Sequence, residues 1–159
     1  RGQDNRAIQQ NRAVKSISNE TTFQDDTSDL DVLDGHLWRM ATKVSDRSKA
    51  KGLAGRVITL KLKRKDHSIL TRRVSLRDPT QLADTIYRTA RNLFEQVNEK
   101  GPYRLLGCGI SDLCCGKEAE QSGDLLDQGA YKRNQAERAT DEIRGRFGDN
   151  AILKGRALR

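Results

Sequence analysis

Between Gly55 and Arg77 the chain alternates so regularly that it leaves little choice of structure. Ile58, Leu60 and Leu62, then Leu70, Val74 and Leu76, belong to one row, while Lys61, Lys63, Thr71, Arg73 and Ser75 belong to the other. Successive side chains of a strand point to opposite faces, so the pattern predicts two strands turning at Asp66-His67. One face of that ribbon is core; the other is cationic and hydroxylic. Eight Lys or Arg stand against the single Asp66 here, whereas residues 78–159 carry thirteen basic and thirteen acidic side chains. The net charge of +8 is therefore concentrated in one hairpin. A solvated edge strand also carries lysines, which discourage edge pairing. That explanation does not account for a surplus on both strands, and a polyanionic partner does.

The elements on either side can be read from periodicity and punctuation. Residues 1–12 have only Ala7 and Ile8 as apolar content and read as a linker. Ala13 to Phe23 is β-rich and predicts a first strand, with Ser16 and Ser18 on one side of it. Asp25, Asp26, Asp29, Asp31 and Asp34 then precede Arg39, Lys43, Arg47, Lys49 and Lys51, which complements a helix dipole. Leu30, Leu33, Leu37, Ala41 and Val44 share a helical face, with Ser28 or Asp29 as cap, Trp38 at the edge of the core and an end near Gly52. After the hairpin, Asp78-Pro79 predicts an N-cap and first helical position for a second helix on Leu82, Ala83, Ile86, Ala90, Leu93, Phe94 and Val97. Tyr103–Leu113 predicts a last strand in which Leu106, Cys108 and Ile110 alternate with Leu105, Gly107, Gly109 and Ser111.

The order strand, helix, strand, strand, helix, strand predicts an α+β fold. Its β-α-β-β-α-β chain would form a four-stranded, mainly antiparallel sheet with two helices on one face and the other face open. The expected division is a linker at 1–12, a binding domain at 13–113 and a tail at 114–159 that is flexible or partly helical. Within the tail, residues 131–147 predict a helix with Ala136, Ala139, Ile143 and Phe147 as a thin apolar stripe.

Composition excludes several classes. Hydrophobic residues make up 35% and charged ones 33% of the 159 residues, enough for one modest core. No apolar run approaches the length of a membrane span, and no charged segment precedes a signal-like apolar stretch, so the chain reads as cytoplasmic and without a membrane partner. Cys108, Cys114 and Cys115 lie far from His36 and His67, which is not the spacing of a zinc site. Cys108 is expected in the core and the adjacent pair as reduced thiols. Only seven aromatics are present, mostly on apolar rows, which argues against a platform that stacks unpaired bases. Lys, Arg, hydroxyls and glycines suit phosphate contacts with a duplex.

At Lys15-Ser16-Ile17-Ser18 followed by Glu20-Thr21-Thr22-Phe23, the chain resembles the opening strand of the little finger domain of Y-family DNA polymerases, bacterial DNA polymerase IV type. "GRVITLKLK", "SILTRRVSL", "YRLLGCGISDL" and "RFGDNAILKGRAL" fit the same family in the same order. The resemblance implies the same fold, with its sheet in the DNA major groove beside a catalytic core, and a role in translesion synthesis. The DNA-binding candidates are Lys15, Ser16, Ser18, Lys61, Lys63, Thr71, Arg73, Ser75, Arg104 and Gly107. The family's catalytic carboxylate motifs occur nowhere in this sequence, so no catalytic residue and no cofactor is expected in this piece, whereas the parent polymerase would use magnesium.

The implied partners are primer-template duplex, the catalytic core of the same chain and a sliding clamp. The family's clamp motif has the form Gln-Leu-x-Leu-Phe; "QSGDLLD" offers Gln121, Leu125 and Leu126 in imperfect register. Two other readings fit the same residues: an adaptor derived from a catalytically inactive polymerase relative, and a stand-alone RNA-binding module.

Overall fold

The computed structural model describes residues 14–97, 101–117 and 128–155. Strand β1 (Ser16–Thr27) leads into helix α1 (Leu30–Ala50), then β2 (Leu53–Arg64), β3 (Ile69–Thr80), helix α2 (Ala83–Glu95), β4 (Tyr103–Cys115) and helix α3 (Gln128–Phe147). The four strands form one sheet in the order β1-β4-β2-β3, and every neighbouring pair is antiparallel. The expected α+β architecture is present.

Alternation in β2 and β4 builds the core. Ile58 pairs with Ile110, Leu60 with Cys108 and Leu62 with Leu106, and all six are buried. Helix α1 covers them with Leu33, Leu37, Met40, Ala41 and Val44, and α2 with Ile86, Tyr87, Ala90 and Leu93. Burying one side chain of the size of Leu60 stabilises by about 1.5–3 kcal/mol, so these two central strands dominate the fold. Trp38 is buried against Tyr87 in an edge-to-face contact with centroids 5.2 Å apart, as its place beside the α1 stripe predicts. Leu30, by contrast, is exposed at the start of α1 and does not join the stripe.

Local chemistry sets the ends. Asp29 caps α1 by accepting from the backbone N–H groups of Asp31 at 2.9 Å and Val32 at 3.3 Å. The β2-β3 turn is closed by Asp66, whose Oδ1 accepts from Ser68 N at 2.9 Å and Ser68 Oγ at 2.6 Å, with His67 at φ 66°.

Three boundary expectations are corrected. Strand β1 runs on to Thr27, which pairs with Tyr103, so Asp25 and Asp26 belong to the strand and only Asp31 lies in the first turn of α1. Asp78-Pro79 does not start α2. The β2-β3 register shifts between Val57-Ser75 and Gly55-Thr80, and the extra residues of β3 in that irregularity keep Asp78 and Pro79 within the strand up to Thr80, which pairs with Gly55. Proline is tolerated there because β3 is an edge strand. The N-cap position of α2 is Leu82, which supplies no side-chain acceptor.

That missing cap comes from α3. The Glu137 carboxylate accepts from the backbone N–H of Ala83 at 2.7 Å and of Asp84 at 3.1 Å, and from Lys49 Nζ at 2.8 Å. Asp141 takes a second hydrogen bond from Lys49 at 2.6 Å, and Arg144 pairs with Asp46 at 3.2 Å. Helix α3 therefore docks through a polar stripe. Ala136, Ala139, Ile143 and Phe147, expected as a thin apolar stripe, are all exposed, Ile143 by 37% and Phe147 by 75%.

Candidate nucleic-acid interface

The sheet face away from α1 and α2 is organised by register. Ser16, Ser111, Val57 and Ser75 lie in one cross-strand row; Ser18, Gly109, Thr59 and Arg73 in the next; Glu20, Gly107, Lys61 and Thr71 in the third; Thr22, Leu105, Lys63 and Ile69 in the fourth. Eight of the ten residues expected to bind DNA are accounted for in this way or by adjacency to it: Ser16, Ser18, Lys61, Lys63, Thr71, Arg73, Ser75 and Gly107 all share the face. The helices cover the opposite side, to which alternation commits buried Ile58, Leu60 and Leu62 with half-buried Leu70 and Leu76, whereas Val74, expected in that row, is exposed near the sheet edge.

The remaining two differ. Lys15 is exposed but precedes β1, one residue out of phase with Ser16. Arg104 falls between the Lys63-Leu105 and Arg64-Tyr103 pairs, where the ladder shifts register. Its guanidinium is paired with Asp26 at 3.1 Å and contacts His67 Nε2 at 3.2 Å, so its charge is already balanced by a neighbour. Gln121, Leu125 and Leu126, the clamp candidates, lie outside the described residues.

Gly109 and Gly107 each leave room for a neighbouring group of the sheet itself. A Cβ on Gly109 would stand 2.7 Å from Ser18 Cβ and 2.9 Å from the Ile17 carbonyl, so the flat position lets β1 itself sit against β4. At Gly107 the open space is crossed by Glu20, whose Cγ would be 2.8 Å from an added Cβ. The Glu20 carboxylate thereby reaches Lys61 Nζ at 2.9 Å. Glu20 was not among the residues expected on this face. Its parity with Ser16 and Ser18 was the available signal that it shares the cationic face.

Among the described residues, no group of three or more His, Cys, Asp or Glu side chains comes together as a metal site, and no helix is long and apolar enough to cross a membrane. Cys108 lies in the core, where burial pushes its thiol up to about 12; Cys114 is half-buried and Cys115 exposed, and no disulfide joins them.

A search of family models matches residues 14–125 to the impB/mucB/samB family C-terminal domain. The DNA polymerase IV of Brucella melitensis biotype 1 is 46% identical over 155 residues, covering 98% of this chain and 35% of that protein. The DNA polymerase IV of Caulobacter vibrioides is 39% identical over 159 residues, covering 99% of this chain and 39% of that one. The chain thus spans between a third and two fifths of the length of these curated relatives. Among solved structures, a Y-family DNA polymerase chimera aligns with a TM-score of 0.56 at 18% identity, over 65% of this chain and 30% of that one. A complex of the beta-clamp processivity factor with the little finger domain of PolIV aligns at 0.51 and 19%, over 60% of this chain and 86% of that one. At these identities the structural likeness is one of fold.

Proposed function

We propose that this chain, which belongs to the impB/mucB/samB C-terminal domain family and is the little finger and tail of a Y-family DNA polymerase of the DNA polymerase IV type, grips primer-template duplex during lesion bypass. The observation that carries the reading is the uncovered face on which Lys61, Lys63 and Arg73 stand among Ser16, Ser18, Thr71 and Ser75 in registered rows. Cations and hydroxyls in that arrangement serve phosphate oxygens, which fix position on a duplex without reading sequence. Grip and positioning are the tasks of this part. Phosphoryl transfer belongs to carboxylates and magnesium elsewhere in a parent polymerase. A sliding clamp is the second partner in this reading, reached through Gln121, Leu125 and Leu126.

The test is the salt dependence of duplex binding. Each phosphate contact contributes a slope of about 0.9 to the fall of log affinity with log salt. A Lys61→Ala, Lys63→Ala, Arg73→Ala variant is expected to flatten the slope by up to about 2.7 while remaining folded. A folded triple variant with the parental slope would remove this reading. Equal affinity for duplex RNA and duplex DNA of one sequence would favour the RNA-binding alternative instead.

A further inference from the structure

Glu20 and Lys61 are not on adjacent strands. Glu20 is opposite Gly107 on β4, and Gly107 is opposite Lys61 on β2, so two strand spacings of roughly 4.8 Å separate the backbones. The side chains nevertheless meet, with Lys61 Nζ 2.9 Å from Glu20 Oε1 and 3.2 Å from Oε2. The missing side chain of Gly107 leaves the path open, since an added Cβ would lie 2.8 Å from Glu20 Cγ. The pair is 35% and 40% exposed and lies in the third of the four rows of the cationic face.

We infer that Glu20 is a built-in counter-anion of the DNA-binding face: it occupies the Lys61 ammonium until a phosphate displaces it, and so holds the grip below what the hairpin cations alone would give. The inference rests on the DNA-binding reading above. A carboxylate and a phosphate oxygen are both anionic acceptors and compete for the same ammonium. When a lysine neutralises a phosphate, the cation condensed on the DNA there diffuses away, and its release favours binding. When DNA displaces Glu20, the carboxylate stays tethered beside a polyanion, so the contact at Lys61 yields less than a free cation would. An exposed ion pair of this kind is weak enough to exchange readily. The consequence is a surface that lets go of duplex more easily than its count of cations suggests.

Glu20→Gln keeps the side-chain length and removes the charge. In the 159-residue chain it is expected to bind a fluorescent primer-template duplex more tightly and to steepen the salt slope by up to about 0.9. At 0.1 M salt that corresponds to a gain of up to roughly eightfold, which vanishes as salt approaches 1 M. In a Lys61→Met background the same substitution should gain much less. Circular dichroism confirms that each variant is folded. If Glu20→Gln leaves affinity and slope unchanged while Lys63→Ala and Arg73→Ala flatten the slope, the face binds DNA and the counter-anion inference is wrong. A gain of equal size with and without Lys61 would also overturn it, because the effect would then be general repulsion. Parental slopes for all of these variants would overturn the DNA-binding reading itself.

Discussion

Removing the Glu137 carboxylate tests how α3 is held. In Glu137→Ala, the backbone N–H groups of Ala83 and Asp84 lose their acceptor and Lys49 keeps only Asp141. Losing an N-cap acceptor costs about 0.5–2 kcal/mol, and a hydrogen bond to a charged group contributes about 1.5–3 kcal/mol. These terms share one side chain and do not add, so the expected loss of docking free energy is on the order of 2–4 kcal/mol. The other tethers, Arg144 to Asp46 and Arg133 to Asp84, are partly exposed pairs worth about 0–1 kcal/mol each. Phe147, 75% exposed, contributes little burial, and Ile143, 37% exposed, adds only part of one side chain. Amide hydrogen exchange of α3 should therefore accelerate by roughly 30- to 1,000-fold while β2 and β4 stay protected. Glu137→Gln should fall between parent and Glu137→Ala, and Phe147→Ser should match the parent. Unchanged α3 protection in Glu137→Ala, or lost protection in Phe147→Ser, would refute docking through the polar stripe. The same geometry fixes a pH response. Burial of Lys49 favours the neutral amine, but the attraction of Glu137 and the hydrogen bonds to Asp141 and Glu137 outweigh it and raise its pKa above 10.5. A raised folded value means that this contribution is complete below the ordinary value and is lost as pH climbs through the raised one. Fluorescence of Trp38, which Lys154 approaches to 4.5 Å beyond α3, should report undocking only in strongly alkaline solution.

Two further outcomes follow from the sheet. In the native protein at neutral pH, a thiol reagent should label exposed Cys115 readily and leave Cys108 unmodified until the chain unfolds, as read by mass spectrometry of labelled peptides, because burial both hides the Cys108 sulfur and keeps it protonated. Gly109→Ala should lower unfolding free energy by about 1–3 kcal/mol in urea titration, since its methyl group would meet the Ile17 carbonyl and Ser18 Cβ rather than open space.

The parts of the fold legible in the sequence were those where a period and a burial demand coincide. Ile58, Leu60 and Leu62 alternate over a hydrophobic row, and a one-residue slip would expose all three, so their strand had one register to adopt. Leu33, Leu37, Ala41 and Val44 likewise had one face to present. The start of α2 was not legible by the same means. Asp78-Pro79 is a sound local signal, but the ladder bonds gained by continuing β3 through the irregularity outweighed it. The cap that α2 finally uses lies 54 residues away from Ala83, beyond the reach of any local pattern. Helix α3 was recognised as a helix, but its polar contacts could not be foreseen from the thin stripe of its apolar residues. They are too few to bury much surface, whereas Glu137, Asp141 and Arg144 each meet a buried or partly buried partner.

The candidate site divides along the same line. Which residues share the open face follows from parity alone, and register brings Ser16, Ser18, Lys61, Lys63, Thr71, Arg73, Ser75 and Gly107 together. How much positive charge that face presents does not follow from parity, because it depends on who sits across the sheet. The strand order places β4 between β1 and β2, so Glu20 and Lys61 become neighbours only through Gly107, and Asp26 meets Arg104 only where the ladder shifts. A count of lysines and arginines in the hairpin treats Lys61, Lys63 and Arg73 as equivalent. In the structure they are unequal, since only Lys61 is held by Glu20, so in the proposed grip on duplex its contribution to the salt slope should be the most sensitive of the three to a substitution on a different strand.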